Sequence, residues 1–225
     1  MWEKINNYLF LLYHKYRRQS FGKFGKENLE KIKHIPVGAI GSIFGGNVLT
    51  NTFNELRTEK EDMPTHSLMW LGGGKHTIAE ADIYFSTNKL ERYAENKVVF
   101  HYFKKLTVED VQEIKSRIYY LLDKKLIYDY GGYAGFATRR IPLLRKIKLL
   151  SASNTRVFCS DGVVVVYHGD KNNTDEKIKL WDTIAIISLI EIANHNCPAD
   201  IYAYLHNLHT LYPDVIGEIV LEPKK

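Results

Sequence analysis

The chain has 225 residues, 45% hydrophobic and 25% charged, with a formal net charge of +5. Such a chain can bury a substantial core in one large or two small domains. No apolar run reaches the length that crosses a bilayer, and the N-terminus lacks the pattern of a secretory signal, so a cytoplasmic product is the default expectation. The excess positive charge attracts nucleic acid, anionic lipid or cell-wall polymer without selecting among them. The basic residues fall in small clusters at 15–18, 104–105 and 139–148 with no nucleic-acid motif beside them, so no nucleic-acid partner is expected. Cys159 and Cys197 show neither metal-ligand spacing nor a disulfide framework. No metal and no cofactor is expected.

Residues 2–18 place Trp2, Ile5, Leu9, Leu12, Tyr13 and Tyr16 at helical spacing with Lys4, Lys15, Arg17 and Arg18 between them. This basic amphipathic helix either rests on a membrane surface or packs its apolar stripe on its own domain. Gly22 and Gly25 end it, and a charged stretch runs to Lys33. Residues 1–34 are thus expected to be a helix and linker, with one domain over 35–225. Residues 35–44 read as a turn and a short strand, and Asn51 to Asp62 as a polar loop or short helix.

Two apolar runs, 68–71 and 77–81, flank Gly72-Gly73-Gly74, the pattern of a hairpin closed by a short glycine loop. Folding it symmetrically about Gly73 sets Trp70 opposite His76 and His66 opposite Glu80. Even-numbered residues then share one face, where an imidazole and a carboxylate can hydrogen-bond. His76 is the rival orienting group for His66, because it lies on the same face.

Residues 97–103 alternate apolar side chains toward both faces, as in a strand buried on both sides. Residues 107–125 form the clearest helix: Thr107 and Asp110 match a capping box, and Val108, Val111, Ile114, Ile118, Leu121 and Leu122 line one stripe. Tyr128-Asp129-Tyr130 opens an aromatic, glycine-rich turn. Residues 139–150 fit helix or strand. Propensity makes residues 156–167 a strand, since four consecutive valines are poor helix formers. A charged loop over 170–177, an apolar helix over 182–193, a helix over 198–208 with Pro198 in its first turn, and a final strand over 217–221 complete the chain. The elements interleave without regular strand–helix alternation. The fold class is α+β.

The order of motifs carries more than any one of them. Thr65-His66-Ser67 before an apolar strand, a glycine turn, Ile78-Ala79-Glu80-Ala81, the Tyr128-Asp129-Tyr130 turn and Phe158-Cys159-Ser160-Asp161 before an apolar run together resemble one family. It is the circularly permuted branch of the NlpC-type papain-like superfamily, the YiiX-like proteins, to which the lecithin–retinol acyltransferase group is related. The resemblance spans about residues 35–205 and implies an antiparallel sheet packed against helices. Matched residue by residue, it makes His66 the base, Glu80 the orienting acid and Cys159 a nucleophile opening a helix. The Cys197-Pro198-Ala199-Asp200 turn resembles a late helix start in the same family. Gly38-Ala39-Ile40 lacks the acid of the usual Gly-Asp-Ile strand start, Asp161-Gly162 stands where Glu-Leu is usual, and Thr65 stands where Ser is usual.

The resemblance implies an acyl-enzyme on Cys159, and so a thiol hydrolase acting on a peptide, peptidoglycan-type or N-acyl amide. A thiol acyltransferase or esterase on acyl lipids, with the N-terminal helix as a peripheral membrane contact, is the competing reading. A catalytically silent binding module is the third. Without chemistry, Cys159 is a buried structural thiol among apolar neighbours. Cys197 is read as structural, and His101, His168, His195, His206 and His209 as surface or satisfied core groups.

Overall fold

A computed structural model describes residues 22–45, 63–82, 84–126, 159–170, 175–184 and 197–223. Among the described residues, six strands form one sheet: β1 (Ile40–Phe44), β2 (Pro64–Gly72), β3 (Thr77–Ala81), β4 (Phe85–Lys89), β5 (Val98–Phe103) and β6 (Ile216–Leu221). Their order across the sheet is β4-β3-β2-β1-β5-β6, with every neighbouring pair antiparallel. The apolar side chains of β1, β2 and β5 point alternately to two faces, so both faces must be covered.

Helices α2 (Val108–Lys124), α3 (Cys159–His168) and α5 (Pro198–Leu211) cover one face, where Ile40, Met69 and Ala79 join Ile114, Ile118, Val163, Val166, Ile201 and Leu205 in a buried cluster. The single-turn helix α4 (Glu176–Lys179) adds Ile178 to it. On the other face, Ile43, Leu68, Trp70, Ile78, Val98 and Phe100 pack with Phe24, Ile32, Leu90 and Tyr93. Of these, Ile32 belongs to helix α1 (Lys26–Lys33), and Leu90 and Tyr93 to a 3₁₀ turn (Leu90–Tyr93). The α+β class follows, as an antiparallel sheet packed against helices. Among the described residues, no helix is long and apolar enough to cross a membrane.

Helix α2 forms as its sequence dictates. The Asp110 N–H donates to Thr107 Oγ1 at 3.1 Å and the Thr107 N–H to Asp110 Oδ2 at 2.9 Å, closing the capping box. Ile114, Ile118 and Leu121 are buried, but Val108, expected on the same stripe, is 69% exposed. Position N1 projects beyond the packed turns.

Three expectations change. Residues 159–168 are helix, against the strand that valine propensity predicts. Val163, Val164, Val165 and Val166 are all buried, and packing on every side outweighs a few tenths of a kcal/mol per residue of helix propensity. The end of α3 is tied down by Arg117, whose guanidinium donates to the Val166 carbonyl at 3.0 Å, and by the Tyr167 hydroxyl, which donates to the Gly38 carbonyl at 2.6 Å. Second, residues 22–34, expected to link, contain α1 and contribute Phe24 and Ile32 to the core. Asn28 Nδ2 donates to the Glu222 carbonyl at 2.7 Å, and Gly25 is the N-cap of this helix. Third, part of the expected charged loop over 170–177 is the start of α4, capped by the Asp175 carboxylate. The final strand and the Pro198 helix stand where predicted, one and three residues longer respectively.

The N-terminal helix over 2–18, the polar segment over 51–62, the Tyr128-Asp129-Tyr130 turn, residues 139–150 and most of the apolar segment over 182–193 lie outside the described residues.

Candidate active site

Glycine sets the hairpin. Gly72 and Gly73 adopt φ of +77° and +84°, a region glycine enters without steric cost, and His76 follows at +47°. Met69 pairs with Ala79 and Trp70 with Ile78, with a register shift before Gly72 pairs with Thr77. The hairpin is therefore offset by two residues from the symmetric fold expected about Gly73. An even offset leaves every side chain on its face. His66 and Glu80 still share a face with Leu68 and Ile78, but as a diagonal pair instead of a directly opposed one. A histidine and a glutamate are long enough to bridge that diagonal, and His66 Nε2 lies 2.6 Å from Glu80 Oε2.

Glu80 is 1% exposed, and a buried carboxylate needs donors to replace water. It has three. Besides His66, the Tyr93 hydroxyl donates to Oε2 at 2.5 Å and the Arg92 guanidinium to Oε1 at 2.5 Å. Arg92 also bridges to Asp82 Oδ2 at 2.9 Å. Burial alone would raise the Glu80 pKa, but His66, Arg92 and Tyr93 outweigh it and hold the carboxyl down to about 2. Arg92 and Tyr93 come from the 3₁₀ turn after β4, and sequence reasoning missed both. The only signal available was that a buried acid demands compensating donors, and Arg92-Tyr93 is the next such pair along the chain.

Cys159 is the first residue of α3 and is 2% exposed. The helix reaches this position through Gly162, where a Cβ would come within 2.9 Å of the Phe85 ring. Phe85 pairs with Ala81, so the first turn of α3 docks at the end of the sheet where β3 finishes and β2 begins. His66 sits at that end of β2. Burial would lower the His66 pKa, but interaction first with Cys159 and then with Glu80 overrides it, raising the imidazole to about 10. With Nε2 committed to Glu80, Nδ1 is the nitrogen left for the sulfur. The helix N-terminus adds a partial positive charge that favours a thiolate. Cysteine, histidine and glutamate therefore stand in series, with His66 between Cys159 and the buried Glu80.

His76 is not part of this series. Its Nδ1 lies 2.6 Å from Glu91 Oε1 at the turn end of the hairpin, and its ring stacks on Trp70. Cys197 caps α5, its sulfur accepting from the Asp200 N–H at 3.4 Å, which gives it a structural explanation. His101 is 1% exposed; its Nε2 lies 2.9 Å from Glu218 Oε2 but off hydrogen-bond geometry, and its Nδ1 has no hydrogen-bond partner. His168 Nε2 is likewise buried without one, although its Nδ1 lies 3.1 Å from Thr183 Oγ1. His206 lies against Glu218, and His209 Nδ1 donates to the Ile216 carbonyl at 2.9 Å. His195 lies outside the described residues.

No protein-family model matches the chain, and no curated protein is significantly similar to it.

Proposed function

We propose that the chain is a thiol hydrolase of the permuted papain-like (NlpC-type, YiiX-like) class, cleaving an amide bond through an acyl-enzyme on Cys159. One observation carries the reading: His66 is held between Cys159 on one side and the buried Glu80 on the other. The chain order His66, Glu80, Cys159 on strand, strand and helix start supports it, because permuted relatives place the histidine before the cysteine.

In this reading the Cys159 thiolate attacks the amide carbonyl carbon. The oxyanion that forms lies at the start of α3, where the positive end of the helix dipole favours negative charge. The His66 imidazolium donates its Nδ1 proton to the leaving nitrogen, the C–N bond breaks, and a thioester remains. Neutral His66 then takes a proton from water, whose oxygen attacks the thioester, and the sulfur leaves as the thiolate. Glu80 keeps Nε2 protonated throughout and offsets the charge that develops on the ring. It is anchored by Arg92 and Tyr93 and cannot swing away.

The test is to trap the acyl-enzyme. Wild-type protein is incubated with N-acyl amides, short peptidoglycan-type peptides and acyl esters, quenched in acid and examined by intact and peptide mass spectrometry. The reading expects a hydroxylamine-sensitive adduct on Cys159 and turnover lost by at least about 10³-fold in Cys159→Ser. Transfer of the acyl group to an added amine in preference to water would shift the reaction to the acyltransferase class. Equal turnover in wild type and Cys159→Ser would overturn the proposal.

A further inference from the structure

A second cluster of ligating side chains lies away from Cys159. His101 on β5 and Glu218 on β6 are directly paired across the sheet, and His206 on α5 comes down beside them. His101 Nε2 is 2.9 Å and His206 Nδ1 is 2.8 Å from the same oxygen, Glu218 Oε2. One ligand atom from each residue falls within 4.8 Å of the others. Tyr202 fixes the rings from the side: it stacks on His206 with centroids 5.3 Å apart and tilts against His101 at 5.6 Å.

Two features are not explained by packing. His101 is 1% exposed and its Nε2, although close to Glu218, lacks the geometry of a hydrogen bond, as does Nδ1. A buried imidazole with no hydrogen bond among the described residues is a cost that folding ordinarily avoids. In addition, two imidazoles converge on one carboxylate oxygen, although a single hydrogen-bonded pair would satisfy Glu218.

We propose that His101, His206 and Glu218 form a binding site for a divalent transition cation of the Zn²⁺ class. Two imidazole nitrogens and a carboxylate oxygen are the donor set that borderline cations select, and three protein ligands leave a fourth position. His206 is half exposed, with 49% of its side chain accessible, so that position opens toward solvent and water can fill it. A cation at His101 Nε2 would satisfy the buried ring and relieve the crowding on Glu218 Oε2. It would also pin α5 to the β5–β6 edge. The ligands come from elements distant in sequence, which is why cysteine spacing gave no hint of a metal.

Thiols compete for the same cation, so the experiment separates them. Zn²⁺ binding is measured by calorimetry and equilibrium dialysis on wild type, on the thiol-free variant Cys159→Ser/Cys197→Ser, and on His206→Ala. His206→Ala changes an exposed side chain, and its far-ultraviolet circular dichroism checks that it folds. The expected result is one equivalent bound by wild type and the thiol-free variant, with affinity lowered at least about 10-fold in His206→Ala. Co²⁺ in the thiol-free protein should give a four-coordinate spectrum without a sulfur charge-transfer band. Saturating Zn²⁺ should raise the melting temperature of that protein by about 5 °C or more. Binding abolished by removing the thiols, binding unchanged in folded His206→Ala, or no binding at all would each overturn the proposal.

Discussion

The two histidine sites of this sheet start from the same residue pair and differ in the groups that complete them. Each starts from a histidine and a glutamate on adjacent strands, His66 with Glu80 on β2 and β3, and His101 with Glu218 on β5 and β6. Each receives a third side chain from a helix: Cys159 from α3, His206 from α5. In the first site the carboxylate is saturated by His66, Arg92 and Tyr93, so the histidine has one face left for sulfur. In the second, the imidazoles share one carboxylate oxygen and the buried ring has no hydrogen bond. Electrostatics follows: His66 is raised to about 10, whereas burial lowers His101 despite its glutamate. The same residue pair thus sits in two different electrostatic settings, depending on what else reaches the acid.

Glu80 is where the first site is most sensitive. Glu80→Gln removes the charge that offsets Arg92 and His66 in a buried setting, and should destabilise the protein by about 3 kcal/mol at neutral pH. The pH dependence has a defined sign. Glu80 is depressed from 4.5 to about 2, so its contribution is present above about pH 4.5 and is lost as pH falls toward 2. His66 is raised from 6.5 to about 10, so its contribution is full below about pH 6.5 and is lost as pH rises through 10. Urea denaturation of wild type and Glu80→Gln should show a stability gap that closes between pH 4.5 and 2. A gap that stays constant over that range would contradict the assigned charge state.

A smaller effect tests how the cysteine is delivered. Gly162→Ala improves helix propensity by about 1 kcal/mol, yet its methyl would meet Phe85 Cε2 at 2.9 Å. Overpacking should win, giving a net loss of about 1–2 kcal/mol and a displaced first turn of α3. Gly74→Ala is the control, since a Cβ there meets nothing within 4 Å. A Gly162→Ala protein as stable as wild type would mean that α3 does not rely on this close approach.

Faces were legible in the sequence, and partners were not. Alternation in residues 64–81 put His66 and Glu80 on one side of the sheet, and that survived a two-residue error in register because parity was kept. Thr107 and Asp110 announced α2 because a cap is local chemistry. Residues 159–168 misled because valine propensity is weak beside burial on all sides of a helix, and only the motif around Cys159 pointed to the true structure. Helix α1 was hidden because its exposed charges pair along the helix, Glu27 with Lys31 and Glu30 with Lys33, leaving one apolar anchor, Ile32. Arg92 and Tyr93, and the meeting of His101 with His206, depend on tertiary contacts that no local pattern encodes.

The proposed acyl transfer requires Cys159 and His66 to form a thiolate–imidazolium pair. Iodoacetamide alkylation followed by peptide mass spectrometry across pH 5–9 tests it directly, with Cys197 as the internal reference. A paired Cys159 should label at a rate nearly independent of pH from 6 to 9, and His66→Ala should slow it roughly 100-fold at pH 6, where an ordinary thiol is almost wholly protonated. Cys159 is 2% exposed, so labelling in mild urea below the unfolding transition separates access from reactivity. Labelling that rises tenfold per pH unit toward 8.5 in wild type, unchanged by His66→Ala, would contradict the account.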